Sequence, residues 1–229
     1  MPHRIRRMRE KIAARNIAAT SQINSANPVL AELEQELKKD IAELKTMESF
    51  SHRAYAKRDK FKNYWHHVSG VIAQDTAVND PITRTMLVWA SDALLVDEFI
   101  AIATYMVNYE IDMPSNFNTS LPSFIADSGR TMLAYEASEH FKPITATNGE
   151  MINALIESIE APERQPNDEA YAKFLKELGR KVEALESPSA LKRAHGYYEK
   201  AIQLHEKVGV KPDLTRINKK LDELEAPKE

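Results

Sequence analysis

The chain has 229 residues, 43% hydrophobic and 28% charged, with six glycines, eleven prolines and no cysteine. That composition suits a helix-rich globular protein, either one helical domain with extensions or two small domains. A net charge of -3 excludes a global basic field for nucleic acid but not a local patch. The absence of cysteine excludes disulfides, Cys-based zinc sites and a thiol nucleophile. No apolar run approaches the roughly 18 residues of a membrane span, and the first residues lack a signal peptide's apolar stretch, so a cytosolic protein without membrane partners is expected.

Residues 4–19 are strongly basic, with Arg4, Arg6, Arg7, Arg9, Lys11 and Arg15 against the single acid Glu10. Ile5, Met8, Ile12 and Ile17 form a ragged apolar stripe, but so short a helix is marginal alone in water. The segment reads either as a solvated arm or as a phosphate-binding arm that orders on nucleic acid. After the polar joint 21–28, Val29 to about Lys62 reads as one long amphipathic helix without Gly or Pro. Leu30, Leu33, Leu37, Ile41, Leu44 and Met47 recur at near coiled-coil spacing. A stripe that narrow needs a partner, the chain's own core or the same helix of another subunit, and Leu30, Leu33, Leu37, Ile41 and Leu44 are the expected oligomerisation residues. The far half of this helix carries Arg53, Lys57, Arg58, Lys60 and Lys62 against Asp59, with Tyr55 and Phe61 interleaved. It is either a solvated face or a nucleic-acid backbone-binding face.

The stretch 64–116 holds both tryptophans, Trp65 and Trp89, and reads as the core. Met86, Leu87, Ala90 and Leu94, then Phe99, Ile102, Ala103, Met106 and Val107, recur at helical spacing. Three helices are expected at about 64–75, 80–91 and 93–110. Asn79-Asp80-Pro81 starts the second, a break at Ala90-Ser91 with Asp92 as cap starts the third, and Met113-Pro114 ends it. Beyond the loop 115–122, helices are expected over 123–140 and, capped by Asn148, over 150–159. The proline-bearing stretch 160–168 is the expected linker. The tail then reads as helices at 168–185, 189–208 and 213–225. The middle one carries a tetratricopeptide-like pattern of small and aromatic residues, Ala194, Tyr197, Tyr198, Ala201, Ile202 and Leu204, and a single partial repeat points to a helical appendage. The expected division is a basic arm at 1–28, a helical core and oligomerisation domain at 29–160, and a C-terminal helical domain at 161–229.

Catalytic patterns are missing. There is no phosphate loop and no His-Glu-x-x-His. Adjacent His66 and His67 diverge by about 100° on a helix and cannot share a metal without distant ligands. Glu136 and His140, at i and i+4, read as a surface pair. Asp75, Asp92, Asp97 and Asp112 are scattered, where a nuclease needs clustered carboxylates. No catalytic residue, metal or cofactor is expected, and the residues alone describe an all-α binding or assembly module.

The central motifs resemble those of the small terminase subunit of temperate, contractile-tailed bacteriophages that package DNA from cohesive-end sites. The likeness rests on FKNYWHHVSG (61–70), Met86-Leu87-Val88-Trp89 followed by Asp92, and AIATYMVNYEIDMP (101–114). It continues through Pro122-Ser123-Phe124-Ile125, Ala201-Ile202-Gln203-Leu204 and Val208-Gly209-Val210-Lys211, and spans most of 55–224. The resemblance implies a ring-forming homo-oligomer in the cytoplasm of an infected bacterial host. Such a subunit recognises the packaging site on phage double-stranded DNA and recruits the large subunit, which holds the ATPase and nuclease. Some members end in a long Lys/Arg-rich tail; this sequence ends in Glu225-Ala226-Pro227-Lys228-Glu229. The expected DNA contacts therefore fall to Arg4, Arg6, Arg7, Arg9, Lys11 and Arg15 and to the basic stretch 53–62. The alternative reading is a helical scaffold or adaptor that binds only protein.

Overall fold

In the computed structural model, residues 28–136 and 144–225 are described, and they contain nine α-helices and no strand. The basic arm, with Arg4, Arg6, Arg7, Arg9, Lys11 and Arg15, lies outside the described residues, as does His140 of the Glu136–His140 pair. The all-α reading is correct for the described chain. No described helix is long and apolar enough to cross a membrane.

The chain forms two compact units, Met1–Phe117 and Asn118–Glu229. In the first, the expected single helix over 29–62 is two: α1 (Pro28–Thr46) and α2 (Phe50–Ala73). The break has a local cause. Ser49 takes an extended backbone and its hydroxyl accepts from the His52 N–H at 3.3 Å, capping α2. The Thr46 hydroxyl meanwhile donates back to the Glu43 carbonyl at 2.7 Å, closing the last turn of α1. The turn folds α1 back along α2. Leu30, Leu37 and Leu44, one every seven residues, are thereby buried inside this unit, while Leu33 and Ile41 are half-buried. The chain's own core thus takes up the heart of the stripe expected to join subunits.

Helices α3 (Pro81–Asp92) and α4 (Val96–Asn108) complete the unit. Asp80 caps α3 as its sequence predicts, accepting from Ile82 and Thr83 N–H with Pro81 next in line. Asp92 is not the cap of α4: it closes α3, and the chain turns through Leu94 at φ 53°, with the Leu95 N–H returned to the Ala90 carbonyl at 2.9 Å. This is a left-handed helix ending of the kind glycine normally occupies. The apolar positions 86, 87, 90, 99, 102, 103 and 106 are fully buried, together with Tyr64, Val68 and Ile82. Trp89 meets Tyr64 edge-on at 5.8 Å.

The second unit contains α5 (Leu121–Ala134), α6 (Ala146–Glu157), α7 (Asp168–Glu183), α8 (Pro188–Leu204) and α9 (Lys211–Glu225). Thr145, not Asn148, caps α6. Asn148 stands three residues in and returns a bond to the Thr145 backbone, completing a capping box. The stretch 160–168 holds a 3-10 turn at Pro162–Arg164, but it does not separate two units. Helix α5 packs against α7 across it, and the Asn167 N–H donates to the Ser123 hydroxyl at 2.9 Å. Prolines end helices locally; they do not say which helices later pack together. Close approach is built in at Gly179, where a Cβ would lie 2.5 Å from the Tyr198 ring.

Candidate nucleic-acid interface

The candidate interface is the basic stretch of α2. One face of that helix presents Arg53, Lys57 and Lys60 at i, i+4 and i+7. Lys57 pairs with Asp92 of α3. Lys60 Nζ reaches Asp40 Oδ1 at 2.6 Å and Glu43 Oε2 at 2.9 Å on α1, and its bond to Asp40, with that to Glu43, raises its pKa despite burial. Asp40 is itself buried, and its other oxygen accepts from the Tyr64 hydroxyl at 2.6 Å. Burial and the Asp40 carboxylate together hold that phenol protonated well above its ordinary range.

The remaining cations differ in setting. Lys62 pairs with Asp59 at 3.0 Å on an open surface. Arg58 is half-buried and engaged by neighbours. Arg53 donates through Nη2 to the Met47 carbonyl, stacks 5.3 Å over the Phe50 ring, and keeps a buried Nε–H that meets no acceptor among the described residues. Of the interleaved aromatics, Phe61 is buried and stacks on Trp65 at 5.6 Å, and Tyr55 is half-buried. Phe61 is therefore not a platform for bases. Much of the positive charge that the sequence concentrates here is neutralised by carboxylates 17 to 35 residues away.

Beside this face lies a cleft of about 230 Å³, lined by Ile41, Leu44, Val88, Trp89 and Phe117 among apolar residues and by Lys45, Arg53 and Lys57 among charged ones. Among the described residues no carboxylate lines it. Sequence reasoning missed the cleft and also missed Asp40. A signal for Asp40 existed: it sits on the Leu37–Leu44 stripe, where a lone acid implies a buried partner.

Of the adjacent pair His66 and His67, only His67 supports a helix cap. His66 is exposed. The His67 ring meets Asp80 Oδ2 at 3.0 Å, which also accepts from the Thr83 N–H and hydroxyl. Burial opposes ionisation of Asp80, but the bonds from His67 and Thr83 outweigh it and hold its carboxyl below the usual range. Among the described residues no group of three or more His, Asp or Glu side chains is placed to hold a metal ion.

The second unit has its own ionic centre. Buried Glu183 on α7 accepts from Arg216 Nε and Nη2 at 2.9 and 2.7 Å, from Lys220 at 3.0 Å and from the Tyr198 hydroxyl at 3.0 Å. Arg216 also holds Asp213 at 2.7 Å. The arrangement ties α9 to α7 and α8.

No curated protein and no solved structure matches the chain. The family model described as phage small terminase subunit matches residues 34–164, more than half of the chain. That span starts within α1, crosses α2 to α6 and ends at the 3-10 turn. It covers the core motifs on which the resemblance rests. The chain belongs to the phage small terminase subunit family, and its role is in phage DNA packaging.

Proposed function

We propose that the chain is the non-catalytic, DNA-recognising subunit of the packaging enzyme. It binds the packaging site on phage double-stranded DNA, assembles with its own copies into a ring, and recruits and regulates the large ATPase-nuclease subunit in the cytoplasm of the infected bacterial host. The family match over 34–164 carries this reading.

The basic arm bears most of the DNA contact. It holds six cations against one acid within residues 4–19, whereas Lys57, Lys60 and Lys62 already face carboxylates. Repetition around a ring multiplies weak phosphate contacts through effective concentration. With three of the five stripe positions buried at home, the stripe as a whole is not free to pair with its copy in another subunit. Replacing Arg4, Arg6, Arg7 and Arg9 with alanine is expected to weaken binding to packaging-site DNA. It should also flatten the slope of log K against log salt by about 0.9 for each phosphate that the arm no longer neutralises. Unchanged binding and slope rule the arm out.

One observation favours the rival reading, a helical adaptor for protein partners: the internal neutralisation of the 53–62 cations. Salt-sensitive retention of the intact chain on DNA or heparin resin separates the two, since an adaptor is not retained.

A further inference from the structure

The cleft of the first unit has the wrong charge balance for a closed core. Its wall carries Lys45, Arg53 and Lys57 and, among the described residues, no carboxylate. Only Lys57 has an anionic partner among the described residues, the half-exposed Asp92. Arg53 gives one guanidinium nitrogen to a backbone carbonyl and has no carboxylate partner among the described residues. The floor, meanwhile, is apolar, with Leu44, Trp89 and Phe117. A ligand suited to it offers one aliphatic side chain with a carboxylate next to it on a segment of net negative charge.

The chain carries such a segment. Helix α9 is held to its own unit by Asp213, Arg216, the fully buried Ile217 and Lys220. Past Lys220, its last turn reads Leu221-Asp222-Glu223-Leu224-Glu225. Leu224 is 51% exposed, and Asp222 and Glu223 are exposed beside it. The one ion pair these acids make among the described residues, Lys219 to Glu223 at 3.9 Å, lies wholly on the surface and competes weakly.

We propose that the cleft receives the acidic last turn of α9 from a second copy of this chain, with Leu224 on the apolar floor, the adjacent Glu223 against Lys45 and Arg53, and Asp222, on the far side of the turn, adding to the negative field. The inference rests on the self-assembly reading above. The contact is head-to-tail: each copy offers one cleft and one helix end, the arrangement that closes into rings. A single helical turn buries far less than the roughly 800 Å² per partner of a stable interface. The contact is therefore weak singly and acts through multiplicity around the ring.

The test is the concentration dependence of assembly of the full chain by light scattering, with and without DNA. Lys45→Glu with Arg53→Glu, and separately Asp222→Lys with Glu223→Lys, are each expected to raise the midpoint concentration of assembly about tenfold. Combining the two reversals in one chain is expected to restore it. Lys45→Glu alone and Leu224→Ser alone should shift the midpoint in the same direction. They alter exposed residues, so helical content and melting stay at the parent values even where the Arg53 change disturbs folding. Assembly with an unchanged midpoint in these variants, or one that the combined reversal does not restore, overturns the docking and leaves the ring intact. A parent chain that stays monomeric at every concentration, with and without DNA, overturns the self-assembly reading and the docking with it.

Discussion

In the first unit, Lys57 and Lys60 reach from α2 to carboxylates on different helices, Asp92 on α3 and Asp40 and Glu43 on α1. In the second, Arg216 and Lys220 of α9 converge on one buried carboxylate, Glu183 of α7. Both arrangements cross helix–helix interfaces, yet they do different work. Convergence on one desolvated acid, closed by the Tyr198 hydroxyl, makes an anchor whose removal leaves charge without a partner. Distribution over three acids, of which Asp40 is buried and Glu43 and Asp92 are not, braces the helices more loosely and, among the described residues, leaves Arg53 and Lys45 without a counter-ion beside an open cleft. Two cations take part in each centre, so their number does not separate the two cases; whether they converge on one acceptor or divide among three does.

The sharpest way to break this comparison is Glu183→Ala. Arg216 and Lys220 remain partly solvated and Arg216 keeps Asp213, so the loss is expected at the lower end for a broken buried pair, about 3 kcal/mol, read by thermal unfolding. It should appear as lost hydrogen-exchange protection across α7 to α9. The same group sets a pH dependence. Hydrogen bonds from Arg216 first, then from Lys220 and Tyr198, overcome burial and hold its carboxyl down to about 2, against an ordinary 4.5. Its contribution is full above pH 4.5 and is lost as pH falls from there towards 2. In Glu183→Ala that part of the acid sensitivity should disappear.

A smaller effect is expected from Gly179→Ala. The new methyl would meet the Tyr198 ring at 2.5 Å, and that ring is fully buried and tied by its hydroxyl to Glu183. Overpacking of about 1–3 kcal/mol outweighs a helix-propensity gain of about 1 kcal/mol, so the melting temperature should fall. In the first unit, Asp40→Asn removes the charge opposite Lys60 while keeping an acceptor for Tyr64. A loss of about 1–2 kcal/mol is expected, with the exchange protection of α1 reduced and that of α7 to α9 unchanged. Least is expected of Lys62→Ala. Its pair with Asp59 is exposed on both sides, so stability should move by less than about 0.5 kcal/mol. A loss at Asp40 equal to that at Glu183 would erase the distinction between the two ionic centres.

Several features were legible from the residues alone because their physical causes are local. Asp80-Pro81 caps and starts α3. Helical periodicity over 86–107 identified nine side chains, of which all but the half-buried Leu94 and Val107 are buried, and the order of packing motifs pointed to the terminase family that the match over 34–164 shows. The tertiary structure decided what depends on distant partners. The stop at 47–49 was written in Ser49, but a run without Gly or Pro concealed it until α1 folded back on α2. The division at Phe117/Asn118 follows from α5 packing on α7 over a proline-bearing stretch that had looked like a boundary. The fate of the cations belongs here too. Periodicity assigns a lysine to a face, but whether that face meets solvent, a phosphate or Asp40 depends on which helix packs there, and that is decided by apolar burial summed over the whole unit.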